Sequence, residues 1–257
     1  MNNTFKVVSC NIRGAFGVDG ENEFCYRKEA VAKYLLKLNP DIIGFQELNH
    51  KMRMELLELM PAYAFLGAGR EKNRLGESSA IAYRQSRLMP ERLHSEILSP
   101  TPHLHGTTYG VDQSKCPRIF SSCDFMPIDS DTPIRFISIH TDHQGKLARI
   151  LESEQLLAFY NKEQQARPMP TVIVGDFNAT PDSTEIKVFS NSCEFTDATA
   201  DIKTSFHEFG NKKIDFKIDY IFISKDIEAT YVGSHRYADD GRFLSDHDLI
   251  EATLKVK

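Results

Sequence analysis

Apolar residues recur along the chain with two periods. Short runs rich in β-branched and aromatic residues predict strands, and apolar residues at three- and four-residue spacing predict helices. The predicted strands cover residues 5–11, 41–45, 79–83, 119–126, 134–140, 171–174, 218–223, 228–232 and 250–256. The predicted helices cover residues 27–38, 50–60, 146–165 and 185–189. Strands outnumber helices and alternate with them irregularly, which predicts an α/β fold with two packed sheets and outer helices rather than one doubly wound parallel sheet.

Two segments lack both periods and are predicted to be loops. Residues 67–76 combine glycines with charged residues, and residues 99–117 hold three prolines and two histidines. Long loops in compact domains are often functional. Apolar runs extend over the whole length without a linker, a repeat or a low-complexity tract, so we expect residues 1–257 to form a single domain.

Composition and charge narrow the class of protein. Hydrophobic residues make up 41% of the 257 residues, which is enough for a substantial core. The net charge of −5 disfavours a protein that grips long nucleic acid through a basic face, although a local basic cleft stays open. It also disfavours peripheral binding to anionic lipid. No apolar stretch approaches the roughly 18 residues needed to span a bilayer, so we expect no integral membrane contact.

The chain carries no sign of export. Its first residues lead almost at once into the first predicted strand, without the basic and apolar regions of a signal peptide, although a trimmed leader would leave the same picture. The five cysteines are irregularly spaced and include no CxxC pair, which favours free thiols over a disulfide framework or a zinc site. We therefore expect a cytoplasmic protein. No long heptad pattern or spare apolar element remains, so we expect a monomer.

Polar residues with catalytic chemistry stand at the ends of predicted strands. The residues at or just after a predicted strand are Glu47, His140, Asp176 and Asn178. Asp246 and His247 come just before the last predicted strand. Together they supply a metal carboxylate, two imidazoles and an Asp/Asn pair. This set suits attack of water on a phosphoester, because a metal and fixed donors stabilise the anionic transition state of that reaction.

Asp176 and Asn178 are separated by one residue, which points both side chains to one side if the extended path continues. A carboxylate there can orient and deprotonate water, and the amide can hold a phosphoryl oxygen without adding negative charge. The alternative is an Asx turn, because Asp, Asn and the following Pro181 are turn formers.

The two histidines each have a candidate carboxylate partner. His247 can donate to a developing oxyanion if Asp219 orients it, since a carboxylate inside an apolar strand needs a partner. His140 could act as general acid toward the leaving oxygen, with Glu77 as its orienting carboxylate. The alternatives are a surface position for His247, a strand-capping role for Asp246 and a satisfied core histidine for His140.

Four residues are candidate ligands of a metal or a phosphate. Glu47 is the best single metal ligand, and Asp246 can meet a metal directly or through water. Oxygen ligands without a Cys/His set favour Mg²⁺ or Mn²⁺ over zinc. Asn11 closes the first strand as a neutral phosphate or metal contact, and Arg118 could clamp a phosphate. The alternatives are a helix-cap neighbour at Glu47, a turn at Asn11 and an ordinary ion pair at Arg118.

These segments resemble, in their order, the endonuclease/exonuclease/phosphatase (DNase I-like) superfamily, and the resemblance is closest to its small bacterial members. The segments that carry it are Ser9-Cys10-Asn11-Ile12-Arg13, Gln46-Glu47, Gly76-Glu77, Arg118, His140 with Asp142-His143, Gly175-Asp176-Phe177-Asn178, Ile218-Asp219-Tyr220-Ile221 and Ser245-Asp246-His247. The chain departs from these relatives in lacking Trp before the arginine, which puts the contacts of the substrate loop in doubt.

The resemblance implies a four-layer α/β/β/α sandwich built on two mainly antiparallel sheets. It places Glu47 and Asn11 at a divalent metal and Asp176 and Asn178 at the attacking water. It also implies a His247–Asp219 pair, a second pair of His140 with Glu77, and Asp246 as a support for the metal or the phosphate.

The sequence therefore predicts a Mg²⁺- or Mn²⁺-dependent phosphoesterase in which Asp176 activates water. Its substrate is a phosphodiester or a phosphomonoester, and the acidic net charge slightly favours a small or lipid-derived one. A DNA or RNA nuclease is the close alternative. A catalytically inactive binding module on the same fold is a remote one.

Overall fold

The computed structural model describes residues 3–211 and 213–257. Met1, Asn2 and Lys212 lie outside the described residues, so the predictions for residues 1–257 as one domain and for the extreme N-terminus extend beyond them. The strands are β1 (Thr4–Asn11), β2 (Ile42–Gln46), β3 (Tyr63–Leu66), β4 (Ile81–Arg84), β5 (Leu88–Ile97), β6 (Ile119–Pro127), β7 (Ile134–His140), β8 (Thr171–Asp176), β9 (Phe195–Asp197), β10 (Asp219–Ser224), β11 (Ile227–His235) and β12 (Leu249–Val256). The α-helices are α1 (Phe24–Leu38), α2 (His50–Leu59), α3 (Lys146–Ala166) and α4 (Thr184–Ser190).

The strands form two six-stranded sheets with similar topology. The first has the order β11-β12-β1-β2-β4-β3, and the second has the order β5-β6-β7-β8-β10-β9. The pairs β1–β2 and β7–β8 are parallel, and the other pairs of described strands are antiparallel. The prediction of two mainly antiparallel sheets is confirmed. Helix α1 connects β1 to β2 and helix α3 connects β7 to β8, as a parallel pair requires.

Three apolar layers hold the molecule together. One packs α1 and α2 on the first sheet, one fills the space between the two sheets, and one packs α3 and α4 on the second sheet. The four-layer α/β/β/α sandwich is therefore confirmed. The sheets approach closely at β2, where a Cβ on Gly44 would lie 2.2 Å from Val174 Cγ2 on β8. This contact brings the carboxyl ends of both parallel pairs together.

The sequence analysis missed β3, β5 and β9, and all three are edge strands. An edge strand has one strand neighbour and can stay largely polar, as β5 does, so it can lack the apolar run by which central strands are found. Strands β3 and β9 have only four and three residues, which is too short for a clear period, although β3 is apolar. Strand β5 is exposed over most of its length and contains Pro90 at a register shift, a position that only an edge or a bulge tolerates. The long loop predicted at residues 99–117 is free of helix and strand.

Among the described helices, none is both long and apolar enough to cross a membrane.

Candidate active site

A cleft of about 670 Å³ opens where the two parallel strand pairs end. The register pairs Asn11 with Gln46 and His140 with Asp176 at these ends. The predicted site residues that line the cleft are Glu47, Glu77, Arg118, His140, Asp176, Asn178, Asp246 and His247. Asn11 and Asp219 are buried behind this lining and contact it. The fold thus brings together residues that are distant in sequence.

Asp176 lies at the centre of the site. Its Oδ1 accepts the backbone N–H of Asn178 at 2.8 Å, and its Oδ2 accepts the side-chain N–H of Asn11 at 3.0 Å. The same Oδ2 lies 3.4 Å from His140 Nε2 and 3.8 Å from His247 Nε2. Burial raises the pKa of Asp176 to about 7, with His247 opposing the shift and Asp219 adding to it. A carboxylate with a pKa near neutrality can take up a proton from water.

His247 precedes β12 and is held by a carboxylate on β10. Its Nδ1 donates to Asp219 Oδ2 at 2.8 Å, and the hydroxyl of Ser205 donates to the same oxygen at 2.7 Å. Burial alone would lower the pKa of His247, but the charges of Asp219 and Asp176 raise it well above the usual value. This shift favours the imidazolium form, which can stabilise negative charge in the cleft.

His140 has different surroundings from those predicted. Its Nε2 lies 3.1 Å from the amide nitrogen of Asn178, and the Glu77 carboxylate instead binds Arg70, with an N–O distance of 2.8 Å. The predicted His140–Glu77 pair is therefore not formed in this structure, because the guanidinium of Arg70 takes the carboxylate. Burial and the charge of Arg118 lower the pKa of His140 well below its usual value, which disfavours the protonated form that a general acid needs.

Arg118 is buried at the start of β6 and is fixed by the loop after β7. Its NH2 group donates to His143 Nδ1 at 2.7 Å, and its Nε lies 3.6 Å from Asp142 Oδ2. That Nε has no hydrogen-bond partner among the described residues. The alternative of an ordinary surface ion pair is excluded by this burial, and the guanidinium faces the cleft with donor capacity left.

Asp142 supports this loop, although the sequence analysis assigned it no catalytic role. Its carboxylate accepts N–H groups from Ser114, Gln144 and Gly145 at 2.7–3.1 Å. Burial would raise the pKa of Asp142, but these hydrogen bonds outweigh it and lower the pKa to about 2. The ionised carboxylate therefore fixes the position of Arg118 above the cleft.

Glu47 directly follows β2 and has a left-handed backbone, with φ of 60°. Its carboxylate accepts the backbone N–H of Gly14 at 2.8 Å and the side-chain N–H of Asn11 at 3.1 Å. Asn178 is also left-handed, with φ of 46°. Such backbones cost on the order of 1–3 kcal/mol in non-glycine residues and are concentrated at functional sites. The strain here aims two polar side chains into the cleft.

Asn11 joins the two carboxylates on either side of it. Its amide nitrogen contacts Glu47 and Asp176, and its amide oxygen accepts the backbone N–H of Arg13 at 3.1 Å. In this orientation the amide nitrogen holds the two carboxylates together, and the amide oxygen is engaged by the backbone of Arg13.

The donor set of the cleft fits a hard divalent cation. Asp246 is buried, which raises its pKa, and the negative charge of Glu47 raises it further, while Arg13 at 3.6 Å partly offsets these effects. Clustered carboxylates of this kind are stabilised by Mg²⁺ or Mn²⁺, which prefer oxygen ligands. Asp176, Asp219 and His247 also form a compact group, with one possible ligand atom from each lying within 4.8 Å of the others. In that group, however, His247 Nδ1 is already hydrogen-bonded to Asp219, so these two atoms are less suited to be metal ligands.

The model of the Endonuclease/Exonuclease/phosphatase family matches residues 8–247. The chain belongs to this family. Its members are hydrolases that act on phosphoester bonds, and they generally use divalent metals. The resemblance found from the sequence is therefore confirmed.

Proteins similar to this chain include two from a bacterium and one from a virus. A solved endonuclease/exonuclease/phosphatase family protein from Bacteroides thetaiotaomicron is 25% identical, with a TM-score of 0.90 over 99% of this chain and 95% of its own. A mannosyl-6-phosphatase from the same organism is 26% identical, with a TM-score of 0.89 over 97% of this chain and 99% of its own. An uncharacterised protein of Acanthamoeba polyphaga mimivirus is 23% identical over 239 residues, which is 84% of this chain and 87% of that protein.

Some residues of this family member's cleft were missed by the sequence analysis. They are Arg13, Phe16, Arg70, His143, Phe206, Phe209 and Phe216. Arg13 stands two residues after Asn11, so its position beside the site could have been noticed. The phenylalanines come from loop segments without a periodic pattern, and no signal in the sequence indicates where they meet the site.

Proposed function

We propose that the protein is a divalent-metal-dependent phosphoesterase that hydrolyses a phosphodiester or a phosphomonoester. The observation that carries this proposal is the position of Asp176, whose Oδ2 faces both His140 and His247 at 3.4 and 3.8 Å in one cleft. A buried carboxylate between one cationic and one neutral imidazole suits activation of water beside an anionic phosphoryl group.

The reaction follows from the residues around Asp176. Asp176 takes a proton from water as the water oxygen bonds to phosphorus. The bond from phosphorus to the alcohol oxygen breaks, and that oxygen leaves with the electron pair and is protonated from solvent. The imidazolium of His247 stabilises the charge that develops on the phosphoryl oxygens, and Asp219 keeps it protonated. His140 is neutral and contributes a hydrogen-bonding group rather than a proton.

Phosphoryl oxygens are held by neutral and cationic donors. The side chain of Asn178 is anchored to Thr141 O at 3.1 Å, and the guanidinium of Arg118 is anchored by His143. Both anchors reduce the freedom lost when the phosphate binds. Asn11 assists from behind the lining of the cleft by keeping Asp176 and Glu47 in place.

Glu47 and Asp246 would hold the divalent cation, Mg²⁺ or Mn²⁺. When bound, the cation polarises a phosphoryl oxygen and neutralises part of its charge. The partly exposed carboxylate of Glu47 and the mutual repulsion of these carboxylates support this assignment.

The substrate is a small phosphoester. A cleft of about 670 Å³ is in the range of small-molecule sites, and the net charge of −5 argues against a grip on long duplex. The likeness to a mannosyl-6-phosphatase supports a phosphomonoester. The second candidate is a nuclease, which the cluster of Arg13, Arg70 and Arg118 in the cleft favours.

The experiment that tests this function is hydrolysis of bis-p-nitrophenyl phosphate, p-nitrophenyl phosphate, mannose 6-phosphate and supercoiled plasmid with Mg²⁺, Mn²⁺ or EDTA. We expect metal-dependent release of nitrophenol or phosphate, and a higher metal requirement in Glu47→Gln. Plasmid nicking with a steep salt dependence would select the nuclease instead. Hydrolysis that persists in EDTA would contradict the role of the metal, and no hydrolysis of any of the four would contradict the proposal.

A further inference from the structure

The cleft has two unlike walls. On one side lie Phe206, Phe209 and Phe216, which we call the aromatic wall. On the other side lie Arg70 and Arg118 with their polar partners. The reaction proposed above uses the floor of the cleft between these walls and gives the aromatic wall no task.

We propose that the aromatic wall binds the alcohol part of the substrate and selects phosphoesters whose alcohol carries a ring. This inference rests on the proposed phosphoesterase function and adds a substrate class to it. The ring can be a nucleobase, whose planar face stacks on an aromatic side chain, or a sugar, whose C–H groups pack against one, and both carry polar groups at the edge.

The aromatic wall is built onto the catalytic residues. The ring of Phe206 lies 4.8 Å from the ring of His247 and 5.5 Å from that of Phe216. The backbones of Phe206 and Phe216 also bond to each other, and the preceding Ser205 donates its hydroxyl to Asp219. A group stacked on these rings therefore lies next to the phosphoryl group that His247 faces.

Part of the wall is exposed to the cleft rather than packed in the core. The side chain of Phe216 is 41% exposed, which a core phenylalanine would not be. Phe209 is held by a strained turn, since both Glu208 and Phe209 are left-handed, with φ of 44° and 52°. Non-glycine residues keep such backbones where the surrounding structure enforces them, and they are concentrated at ligand sites.

Two buried residues enforce this turn. The Nδ1 atom of His207 accepts the backbone N–H of Gly210 at 3.2 Å. The backbone N–H of His207 donates to the carbonyl oxygen of Asp246 at 3.0 Å. The guanidinium of Arg27 stacks on the Phe209 ring at 5.5 Å from its centre. The ring of Phe209 is thus fixed before any ligand binds, which reduces the entropy cost of stacking.

The opposite wall supplies groups for the edge of a ring. Arg70 and Glu77 form an ion pair of 2.8 Å at the cleft, and such a pair offers both donors and an acceptor to hydroxyl or amide groups. A ring between these walls packs its face against phenylalanine and places its polar edge at the ion pair. A short aliphatic alcohol has no ring face to pack against phenylalanine and no ring edge to reach the ion pair.

The test compares ring-bearing with open-chain phosphates in Phe209→Ala and Phe216→Ala. The substrates are adenosine 5′-monophosphate, glucose 6-phosphate and glycerol 1-phosphate. We expect the ratio of kcat/KM for a ring phosphate to that for glycerol phosphate to fall about tenfold in each variant, mainly through KM, which is within the range measured for lost base stacking on aromatic side chains. Loss with adenosine monophosphate alone would identify a nucleobase, and loss with glucose 6-phosphate alone a sugar.

Matched variants separate stacking from general damage. Phe216→Tyr keeps a flat ring and should keep the ratio, whereas Phe216→Leu keeps apolar bulk and should lose it. Tyr26→Ala removes an exposed aromatic ring outside the cleft and should leave the ratio unchanged. An equal fall with all three substrates, or no fall, would overturn the proposal in favour of a wall that only shields His247 from water.

Failure of the phosphoesterase function is distinguishable from failure of this inference. If the wild type hydrolyses none of the three phosphates, the wall is tested by calorimetric binding of adenosine 5′-monophosphate and glucose 6-phosphate. The phosphoesterase function itself fails only if the four substrates of the functional test are not hydrolysed either. Weaker binding by Phe216→Ala than by the wild type would still support the wall, whereas equal binding, or none to the wild type, would overturn it.

Discussion

The two histidines of the site are similarly buried and flank the same carboxylate, yet their surroundings shift their pKa values in opposite directions. His247 faces Asp219 and Asp176, and these charges raise its pKa well above the usual value. His140 faces the arginine side of the cleft, and burial together with Arg118 lowers its pKa well below the usual value. Burial disfavours the charged form of both imidazoles, so the partners alone decide the difference.

This difference assigns separate tasks to the two sides of Asp176. The His247 side carries positive charge and can stabilise an oxyanion, whereas the His140 side holds a neutral ring next to Asn178. A cation on both sides would lower the pKa of Asp176 further and weaken it as a base. The predictions below test this asymmetry.

Of the two histidines, His247 should have the larger effect on activity. We expect His247→Gln to lower kcat on the order of 10²–10³-fold, the usual loss when a preorganised donor to an oxyanion is removed. His140→Gln should cost only about tenfold, since it removes one neutral hydrogen bond of about 1–1.5 kcal/mol. Steady-state kinetics on one phosphoester that the wild type hydrolyses will measure the loss of kcat in both variants. Equal losses in the two variants would show that the histidines share one role.

Removing the partner of His247 should change the pH profile. Because Asp219 raises the pKa of His247, the activity that needs the imidazolium falls as pH rises through that raised pKa. Asp219→Asn should therefore move this alkaline fall to lower pH, and NMR titration of the ring should show the same shift. The stabilisation from the pair is present below the unfolded pKa and lost as pH rises through the folded one.

The control for this variant is Asp215→Asn, which alters an exposed carboxylate paired with Arg236. Its pH profile should match that of the wild type. An unchanged alkaline limb in Asp219→Asn would show that another group sets it.

Asp142 should affect stability more than chemistry. Its pKa is lowered to about 2, so its stabilising effect is present above the unfolded pKa and is lost as pH falls through the folded one. Asp142→Asn should lower the free energy of unfolding at pH 7 on the order of 2 kcal/mol, given about 1.4 kcal/mol for each unit of pKa shift. Urea unfolding at pH 7 and pH 3 should show the difference shrinking at the lower pH. A difference that does not shrink would mean that ionisation of Asp142 is unimportant.

Glu77 should have the smallest effect. Because its carboxylate binds Arg70 and not His140, Glu77→Gln should reduce kcat less than about fivefold, as expected for one ion pair of modest strength. The measurement is kcat beside that of His140→Gln and the double variant. If Glu77→Gln alone matched His140→Gln and the double variant lost no more, the pair predicted from the sequence would form during turnover.

The sequence predicted the features that depend on local pattern. Central strands carry apolar runs, and the polar residues that end them include His140 and Asp176, so both the sandwich and the floor of the site were accessible. Edge strands such as β5 lack that pattern. The partner of Glu77 could not be predicted from the sequence either, because Arg70 and His140 compete for its carboxylate only after the chain has folded. For the same reason, the position of Phe206 over His247 could not be inferred.

The measurement that tests the account most directly is kcat of Asp176→Asn on bis-p-nitrophenyl phosphate and p-nitrophenyl phosphate with Mg²⁺ at pH 7. Asp182→Asn, an exposed carboxylate in the same loop, is the control and should match the wild type. With folding verified by circular dichroism, we predict a fall on the order of 10²–10⁴-fold in Asp176→Asn, the usual loss of a general base. A wild-type rate in Asp176→Asn, on a substrate that the wild type hydrolyses, would contradict the central role of this carboxylate.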